Sequence, residues 1–242
     1  MNDGHGAGMF RRIVVKLSGE ALTGPDDHGL HAPTVQRIAA DLASAVESGT
    51  EIAVVVGGGN FFRGIQGATK GIERARADSI GMLATVMNAL ALEAAIEAEG
   101  FSARALSAVP MPSVCQPYSR QATLHHLSTG RICVLAGGTG NPFFTTDTGA
   151  VLRAAELSCD AVMKATQVDG VYSADPKRDA SATRFDRLTH DEAIRRNLAV
   201  MDTAAFALAR ENRIPIIVFS IAVEGAIRAA LEGSGVFTLV TP

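Results

Sequence analysis

The hydrophobic positions of this 242-residue chain fall into two alternating patterns. Short runs rich in β-branched residues, at 12–17, 51–56, 102–106, 132–136, 161–165 and 215–219, are mostly apolar at odd and even positions alike. A strand with one wet face alternates, whereas a strand covered on both faces does not, so these runs predict the buried strands of a parallel sheet. Between them lie longer stretches with helical spacing, at 33–48, 77–99, 119–128, 146–158, 190–197, 203–210 and 224–232. Pro33 suits a first helical turn and Gly49 a helix end. Strand–helix alternation requires crossover connections. It predicts an α/β fold, a three-layer α/β/α sandwich around a mainly parallel twisted sheet.

The alternation breaks once. After 161–165, Asp169-Gly170 signals a turn. The polar run through Asp175-Pro176 to Arg187 predicts a hairpin or flap in place of another crossover. No Pro- or Ser-rich linker divides the chain, so 11–242 is expected to form one domain with two lobes. The glycine-rich start, 1–10, is expected to be a disordered tail. It lacks the basic-then-apolar pattern of a secretion signal.

Composition narrows the functions. With 22 Lys and Arg against 25 Asp and Glu the formal charge is −3, and no basic cluster exceeds a pair. An electrostatic footprint for nucleic acid is absent. Aromatic residues make up 5 % and Trp is missing, which argues against a platform for stacking bases. No uninterrupted apolar run nears the ~18 residues of a membrane span. Cys115, Cys133 and Cys159 are odd in number and lack C-x-x-C spacing. They argue against a disulfide framework and a zinc site and favour a reducing, cytoplasmic setting. Cys133, inside an apolar run, is expected in the core. The adjacent His125 and His126 point apart on a helix and are expected on a solvated face.

Candidate chemistry lies in three loops that follow strands. Gly137-Gly-Thr-Gly-Asn-Pro-Phe-Phe-Thr-Thr-Asp147 runs from a strand into a helix start, a natural anion site. Its amide, hydroxyls, phenylalanines and carboxylate suit a nucleotide. Val56-Gly-Gly-Gly-Asn-Phe-Phe-Arg63 carries three consecutive glycines, more than a simple turn needs. Something is expected to approach that backbone closely, with Arg63 ready to fork onto phosphate. Lys16-Leu-Ser-Gly-Glu20 puts a lysine at a strand end beside a turn. None of these loops is a Walker or dinucleotide fingerprint. Lys164, in an otherwise apolar strand, is expected to reach an anion or a carboxylate. Each residue also has a plain structural role open to it. Lys16 could be an edge lysine, Asp147 a first-turn acid, and Asp78 and Asp202 helix caps.

Taken together, Val15-Lys-Leu-Ser-Gly-Glu-Ala-Leu22, the Gly57–Gly64 loop, Asp78–Asn88, Gly138–Asp147 and Lys164–Pro176 resemble the amino-acid kinase family, and within it the bacterial branch that phosphorylates UMP. The resemblance runs from about Arg11 to the end. It implies transfer of the γ-phosphoryl group of ATP to UMP, with Mg²⁺ accompanying ATP and no dedicated metal ligands. The implied catalytic set is Lys16, Arg63, Asp147 and Lys164. Lys16, Leu17, Ser18, Gly19, Gly59 and Arg63 would hold the phosphates of ATP, and Thr166, Tyr172 and Asp175 its adenosine end. Gly58, Asp78, Thr139, Gly140, Asn141, Pro142, Phe143, Phe144, Thr145 and Thr146 would form the UMP pocket. Segment 23–29 would carry a regulatory nucleotide response. A homohexamer activated by GTP and inhibited by UTP is implied, with neither nucleic acid nor membrane as partner. A family enzyme with a carboxylate or carbamate acceptor, and a non-catalytic nucleotide sensor, are the rival readings.

Overall fold

The computed structural model describes residues 10–63, 71–176, 178–198 and 200–242. The expected tail, Phe10 apart, lies outside these residues, as does Gly64 of the second glycine loop. The strands are β1 (Arg12–Leu17), β2 (Glu51–Val56), β3 (Ala103–Ser107), β4 (Gln116–Pro117), β5 (Ile132–Ala136), β6 (Ala161–Thr166), β7 (Val171–Tyr172), β8 (Arg184–Phe185), β9 (Arg187–Thr189), β10 (Ile216–Ser220) and β11 (Phe237–Thr241). The helices are α1 (Ala32–Val46), α2 (Arg74–Ala98), α3 (Arg120–Ser128), α4 (Thr146–Glu156), α5 (His190–Arg195), α6 (Thr203–Glu211) and α7 (Ala226–Leu231), and a 3-10 turn covers Gly19–Leu22.

Among the described residues the main sheet has the order β4-β3-β5-β2-β1-β6-β10-β11-β9. Only the β10–β11 pairing is antiparallel. The chain moves outward from β1 through β2, returns across the sheet after β5, and continues on the other side of β1 with β6. The strand order therefore reverses beside β1, and ligand clefts of open α/β sheets gather at the carboxyl ends of strands at such a point.

Two cores flank the sheet. Ile13, Val15 and Leu17 face one, with α1, α2 and α7; Val14, Val55 and Val162 face the other, with α4, α5 and α6. This is the expected three-layer sandwich, and it explains why the strands are apolar on both parities. Cys133 is fully buried in the second core, as expected.

Several elements differ from expectation. β9 and β11 were not anticipated. β11 alternates between half-buried and buried positions, and β9 has three residues, so neither makes an apolar run. The flap is a two-stranded antiparallel hairpin of β7 and β8. Helix α2 starts at Arg74, with Glu73 before it, so Asp78 sits one turn inside and is not its cap. An 18-residue window of α2 reaches a mean hydropathy of 1.6, enough by length and composition to cross a bilayer. No charge falls between Asp78 and Glu93, and alanines and glycine break up the larger apolar residues there. In this fold α2 packs on α1, β2, β3 and β5 as part of one helical layer. His126 is buried, bonded to Gln116 at 2.9 Å and to Arg131 at 2.8 Å, while His125 stays exposed.

His190, the first residue of α5, is fully buried against Phe206, and neither ring nitrogen makes a well-formed hydrogen bond. Burial pulls its pKa below the ordinary value of 6.5; Asp191 and the Ile214 backbone oppose this and Arg210 reinforces it. An unfolded chain would protonate the ring at a pH where the folded chain does not. Stability therefore falls as pH drops from 6.5 toward the lower folded value. His190→Phe is expected to flatten this acid limb. Thermal melts of both proteins between roughly pH 7 and 5 check it, and equal slopes would remove His190 as the cause.

Candidate active site

The sheet register brings two lysines side by side. Lys16 of β1 and Lys164 of β6 are direct parallel partners. Each follows an inward residue of the second core by two positions, so both face the α4 layer. Like charges facing across strands repel. Asp147, in the first turn of α4, relieves this: Oδ1 lies 2.8 Å from Lys16 Nζ and Oδ2 lies 2.6 Å from Lys164 Nζ. The Lys16 contact lacks hydrogen-bond alignment, so Oδ1 has no well-angled donor. Lys164 also donates to the Val200 carbonyl.

All three side chains are 9–13 % exposed. Burial alone would raise the pKa of Asp147; the attraction of Lys16 and Lys164 outweighs it and holds the carboxyl below its ordinary range. Burial draws the Lys164 ammonium below its ordinary value, against the pull of Asp147. Asp147 is thus both a first-turn acid and the counter-charge of two lysines. Thr145 caps α4, its hydroxyl accepting from the N–H groups of Asp147 and Thr148. Asp202 caps α6 through Ala205 N at 2.7 Å, accepts from Thr148 Oγ1 at 2.9 Å, and also bonds the Thr145 hydroxyl.

The glycine loops pack against each other. A Cβ on Gly19 would lie 2.7 Å from Gly59 N, and one on Gly58 would lie 2.7 Å from Gly81 O of α2. A Cβ on Gly57 would lie 3.0 Å from Gly19 N. The expected close approach to this backbone is therefore made, in part, by the chain itself. A buried amide pair fixes the arrangement. Asn60 and Asn88 exchange side-chain bonds of 2.9 and 2.7 Å, Asn88 Nδ2 donates to Gly57 O at 2.6 Å, and Asn60 Nδ2 donates to Gly29 O at 2.8 Å.

Two clefts lie near the Lys16–Asp147–Lys164 cluster: both lysines line the larger, and Thr146, the residue before Asp147, lines the smaller. The smaller, of about 530 Å³, is lined by Gly58 and Phe62 after β2 and by Asp78, Gly81, Met82 and Thr85 of α2. Gly137, Gly138, Thr139, Asn141, Phe144 and Thr146 complete it. The larger, of about 1360 Å³, is lined by Lys16, Ser18 and Glu20, by 164–168, by 170–176 of the hairpin, and by Arg196–Leu198 and Val200. A third depression joins Glu20 and Thr23 to residues 26–28 and 59–63.

Most of the expected residues meet in these clefts. Lys16, Ser18, Lys164, Thr166, Tyr172 and Asp175 border the larger one. Gly58, Asp78, Thr139, Asn141, Phe144 and Thr146 border the smaller. Asp78 is held by Arg74 at 2.8 and 2.9 Å and accepts from Phe143 N at 2.9 Å, which ties α2 to the 139–146 loop. Others are not brought to a cleft wall. Leu17 is fully buried, and Gly19 packs on the second glycine loop. Gly140 and Pro142 serve the turn, Thr145 is a cap, and Phe143, 65 % exposed, lies under Arg74. Gly59 and Arg63 border the third depression, where Arg63 pairs with Glu20 and does not join the lysine cluster. Sequence reasoning missed Thr85, whose hydroxyl accepts from Gly137 N at 2.7 Å. It also missed the wall made by Arg196–Leu198 and Val200, which carries no glycine motif of its own.

A mainly parallel α/β sheet whose carboxyl edge carries a buried lysine–carboxylate–lysine cluster, with both lysines opening on one cleft and a second cleft beside it, is an architecture of the α/β ligand-binding class. Residues 11–220 match the sequence model of the amino acid kinase family, and the chain belongs to that family. It is 64 % identical to a uridylate kinase of Azorhizobium caulinodans over 96 % of this chain and 98 % of the relative. A uridylate kinase of Nitrobacter hamburgensis is 62 % identical over 96 % of this chain and 97 % of its own. The crystal structure of UMP kinase from Bacillus anthracis superposes with a TM-score of 0.92 at 38 % identity, covering 96 % of each chain.

Proposed function

We propose that this chain transfers the γ-phosphoryl group of ATP to UMP, giving ADP and UDP. The observation that carries the reading is the Lys16–Asp147–Lys164 cluster, whose lysines line the larger cleft while Thr146, next to Asp147, lines the smaller. The high identity to uridylate kinases over nearly the whole chain supports UMP as acceptor. The smaller cleft, lined by the loop after β2, α2 and residues 137–146, takes UMP, and the larger, lined mainly by 164–168, 170–176, Arg196–Leu198 and Val200, takes ATP. These are the two lobes of the domain.

The nucleophile is an oxygen of the UMP phosphate. Its second pKa is about 6, so near neutral pH the group is already mostly a dianion and no general base is needed. The new bond joins that oxygen to the γ-phosphorus as the bond to the β,γ-bridging oxygen breaks. The barrier is repulsion between anions and the charge spread in the transition state. Positioning and cationic stabilisation lower it. Lys16 and Lys164 supply fixed positive charge, and Asp147 holds both ammonium groups in place. Arg63 acts in this scheme only after leaving Glu20.

Mg²⁺ reaches the site on ATP. Among the described residues no three His, Cys, Asp or Glu side chains converge. Asp147 is engaged by two lysines, so the donor set fits a metal held by phosphate oxygens. When bound, the metal offsets triphosphate charge. The assembly belongs to the same proposal: a cytoplasmic homohexamer, activated by GTP and inhibited by UTP. Ile80, Leu83 and Met87 form an apolar stripe on α2, 36, 45 and 51 % exposed, which supports a subunit contact.

Three outcomes test the proposal. In a coupled ADP-release assay, UMP is expected to turn over much faster than CMP, AMP or GMP. A wrong base edge leaves groups of the 139–146 loop unpaired at ~1–3 kcal/mol each. Equal rates with CMP would sink the uracil assignment, and turnover with a small acid alone would favour another acceptor class.

Asp78→Ala is expected mainly to raise KM for UMP. Asp147→Asn is expected to lower kcat by roughly 100-fold with smaller changes in KM. If Asp147 were only a first-turn acid, its replacement would cost ~0.3–1 kcal/mol of stability and leave the rate alone. Near-normal kcat in a folded variant would therefore end its catalytic role.

Sedimentation is expected to give a species larger than a dimer at micromolar concentration, and activity is expected to rise with GTP and fall with UTP. A monomer would refute the assembly, and indifference to both nucleotides would refute the regulation.

A further inference from the structure

Arg153 is a buried cation that the reaction scheme leaves unused. It lies two turns into α4, its side chain 6 % exposed, away from the walls of both clefts. Its guanidinium is engaged through both terminal nitrogens and one face. Nη1 donates to Glu156 Oε2 at 2.6 Å, Nη2 donates to the carbonyl of Gly138 at 2.9 Å, and its face lies 4.0 Å from the ring centroid of Tyr118. Tyr118 in turn donates its hydroxyl to the same Glu156 oxygen at 2.6 Å. Arg120 bonds the Glu156 carbonyl at 2.5 Å, so the start of α3 is tied to the end of α4.

The group held by Arg153 matters because of where it sits. Gly137, Gly138 and Thr139 all line the smaller cleft. The Gly138 carbonyl shares a rigid peptide plane with the N–H of Thr139, so fixing that oxygen fixes how Thr139 is presented. The rest of the loop is seated from other directions. Gly137 N donates to Thr85 Oγ1 at 2.7 Å, Gly140 N donates to Gly137 O at 2.8 Å, and Gly149 of α4 lies so close that a Cβ there would meet Gly138 Cα at 3.2 Å. Gly138 itself has a φ of 54°, a conformation that needs outside support to be the only one populated. Desolvating a guanidinium is costly, and an apolar side chain could fill the same space. What only the planar fork can do is hold Gly138 O and Glu156 together while stacking on an aromatic face.

We infer that Arg153 is a positioning residue for the acceptor nucleotide, which, supported by Tyr118 and Glu156, sets the Gly138–Thr139 peptide in the wall of the smaller cleft. The inference rests on that cleft being the UMP site. It separates the two substrates, because nothing in the Arg153 cluster touches the larger cleft.

The test is steady-state kinetics of Arg153→Met and Arg153→Lys with each substrate varied in turn, alongside thermal melts. Met fills similar space without donors, and Lys keeps the charge but cannot span both acceptors. KM for UMP is expected to rise roughly tenfold in Arg153→Met, the effect of leaving a buried carbonyl unsatisfied. KM for ATP is expected to stay within about a factor of two. Tyr118→Phe, which removes only the hydroxyl bond to Glu156, is expected to give a smaller shift of the same kind. If Arg153→Met does not fold, Arg153→Lys carries the comparison. An unchanged KM for UMP in a folded Arg153 variant, or equal rises for both substrates, would overturn the inference. Wild-type turnover of UMP is read first: its absence would refute the kinase proposal and this inference with it, whereas normal wild-type turnover with unshifted variants would refute this inference alone.

Discussion

One carboxylate between two ammonium groups holds the working end of this molecule together. Lys16 and Lys164 are register partners on adjacent parallel strands, and no turn of either backbone can move them apart. Without Asp147 their repulsion in a nearly dry site would oppose the pairing of β1 with β6. With it, three elements that meet at the strand-order reversal are locked: β1, β6 and the first turn of α4. The cluster keeps a formal charge of +1, two cations against one anion. A buried ion group of this kind is a poor source of stability, because desolvation offsets most of the Coulomb gain. The uncompensated charge makes sense as a preformed counterpart for phosphate.

The glycines serve the same end by a different route. Three consecutive glycines after β2 look like a cradle for a ligand, and Gly59 does leave room for a side chain. Gly57 and Gly58 do not, because the backbones of Gly19 and α2 already occupy the space a Cβ would need. These two glycines let the loops after β1 and β2 fit against each other and against α2. The Asn60–Asn88 pair then fixes the contact with bonds that are satisfied internally and buried from water. Because Asn60 also holds Gly29 through its side chain and its carbonyl, the segment over the third depression is tied to the same node.

This division explains what could be read from the residues alone. Strands buried on both faces announce themselves by apolar runs, so β1, β2 and β5 were legible to the residue. β6 and β10 were legible within one position. Strands with a single buried face and few residues, such as β9 and β11, carry too little pattern. Lysines at strand ends and an acid in a first turn were legible as chemistry, since buried charges require partners. Their meeting depended on register, which a linear pattern does not encode. His126 was misjudged because its burial comes from the packing of α3 beside β4, an edge strand of two residues. The wall of Arg196–Leu198 and Val200 was invisible for a related reason: its part in the larger cleft comes from chain placement after α5, and its residue types are ordinary. The glycine loop and the motif resemblance both put Arg63 on phosphate, whereas in this conformation its charge is turned to Glu20.

The two clefts differ in how firmly their walls are held, and the difference suits their tasks. The smaller is walled by α2 and by a loop seated at Thr85, Gly149 and Arg153, all within the packed layers. Discrimination between similar bases needs such fixed polar groups, since only a group that cannot relax penalises a mismatch. The larger is walled by the short β7–β8 hairpin and the segment after α5, with Asp175 and Arg196 exposed at its rim. On the proposed assignment of ATP to this cleft, a wall made of a short hairpin and a connecting segment suits a site that admits a triphosphate and releases a diphosphate. The charged cluster stands at the wall of the larger cleft, its lysines on the central strands β1 and β6 and its carboxylate in the first turn of α4. In the proposed reaction the fixed charges are thereby supplied by the sheet and one helix end, and the nucleotide contacts by the loops.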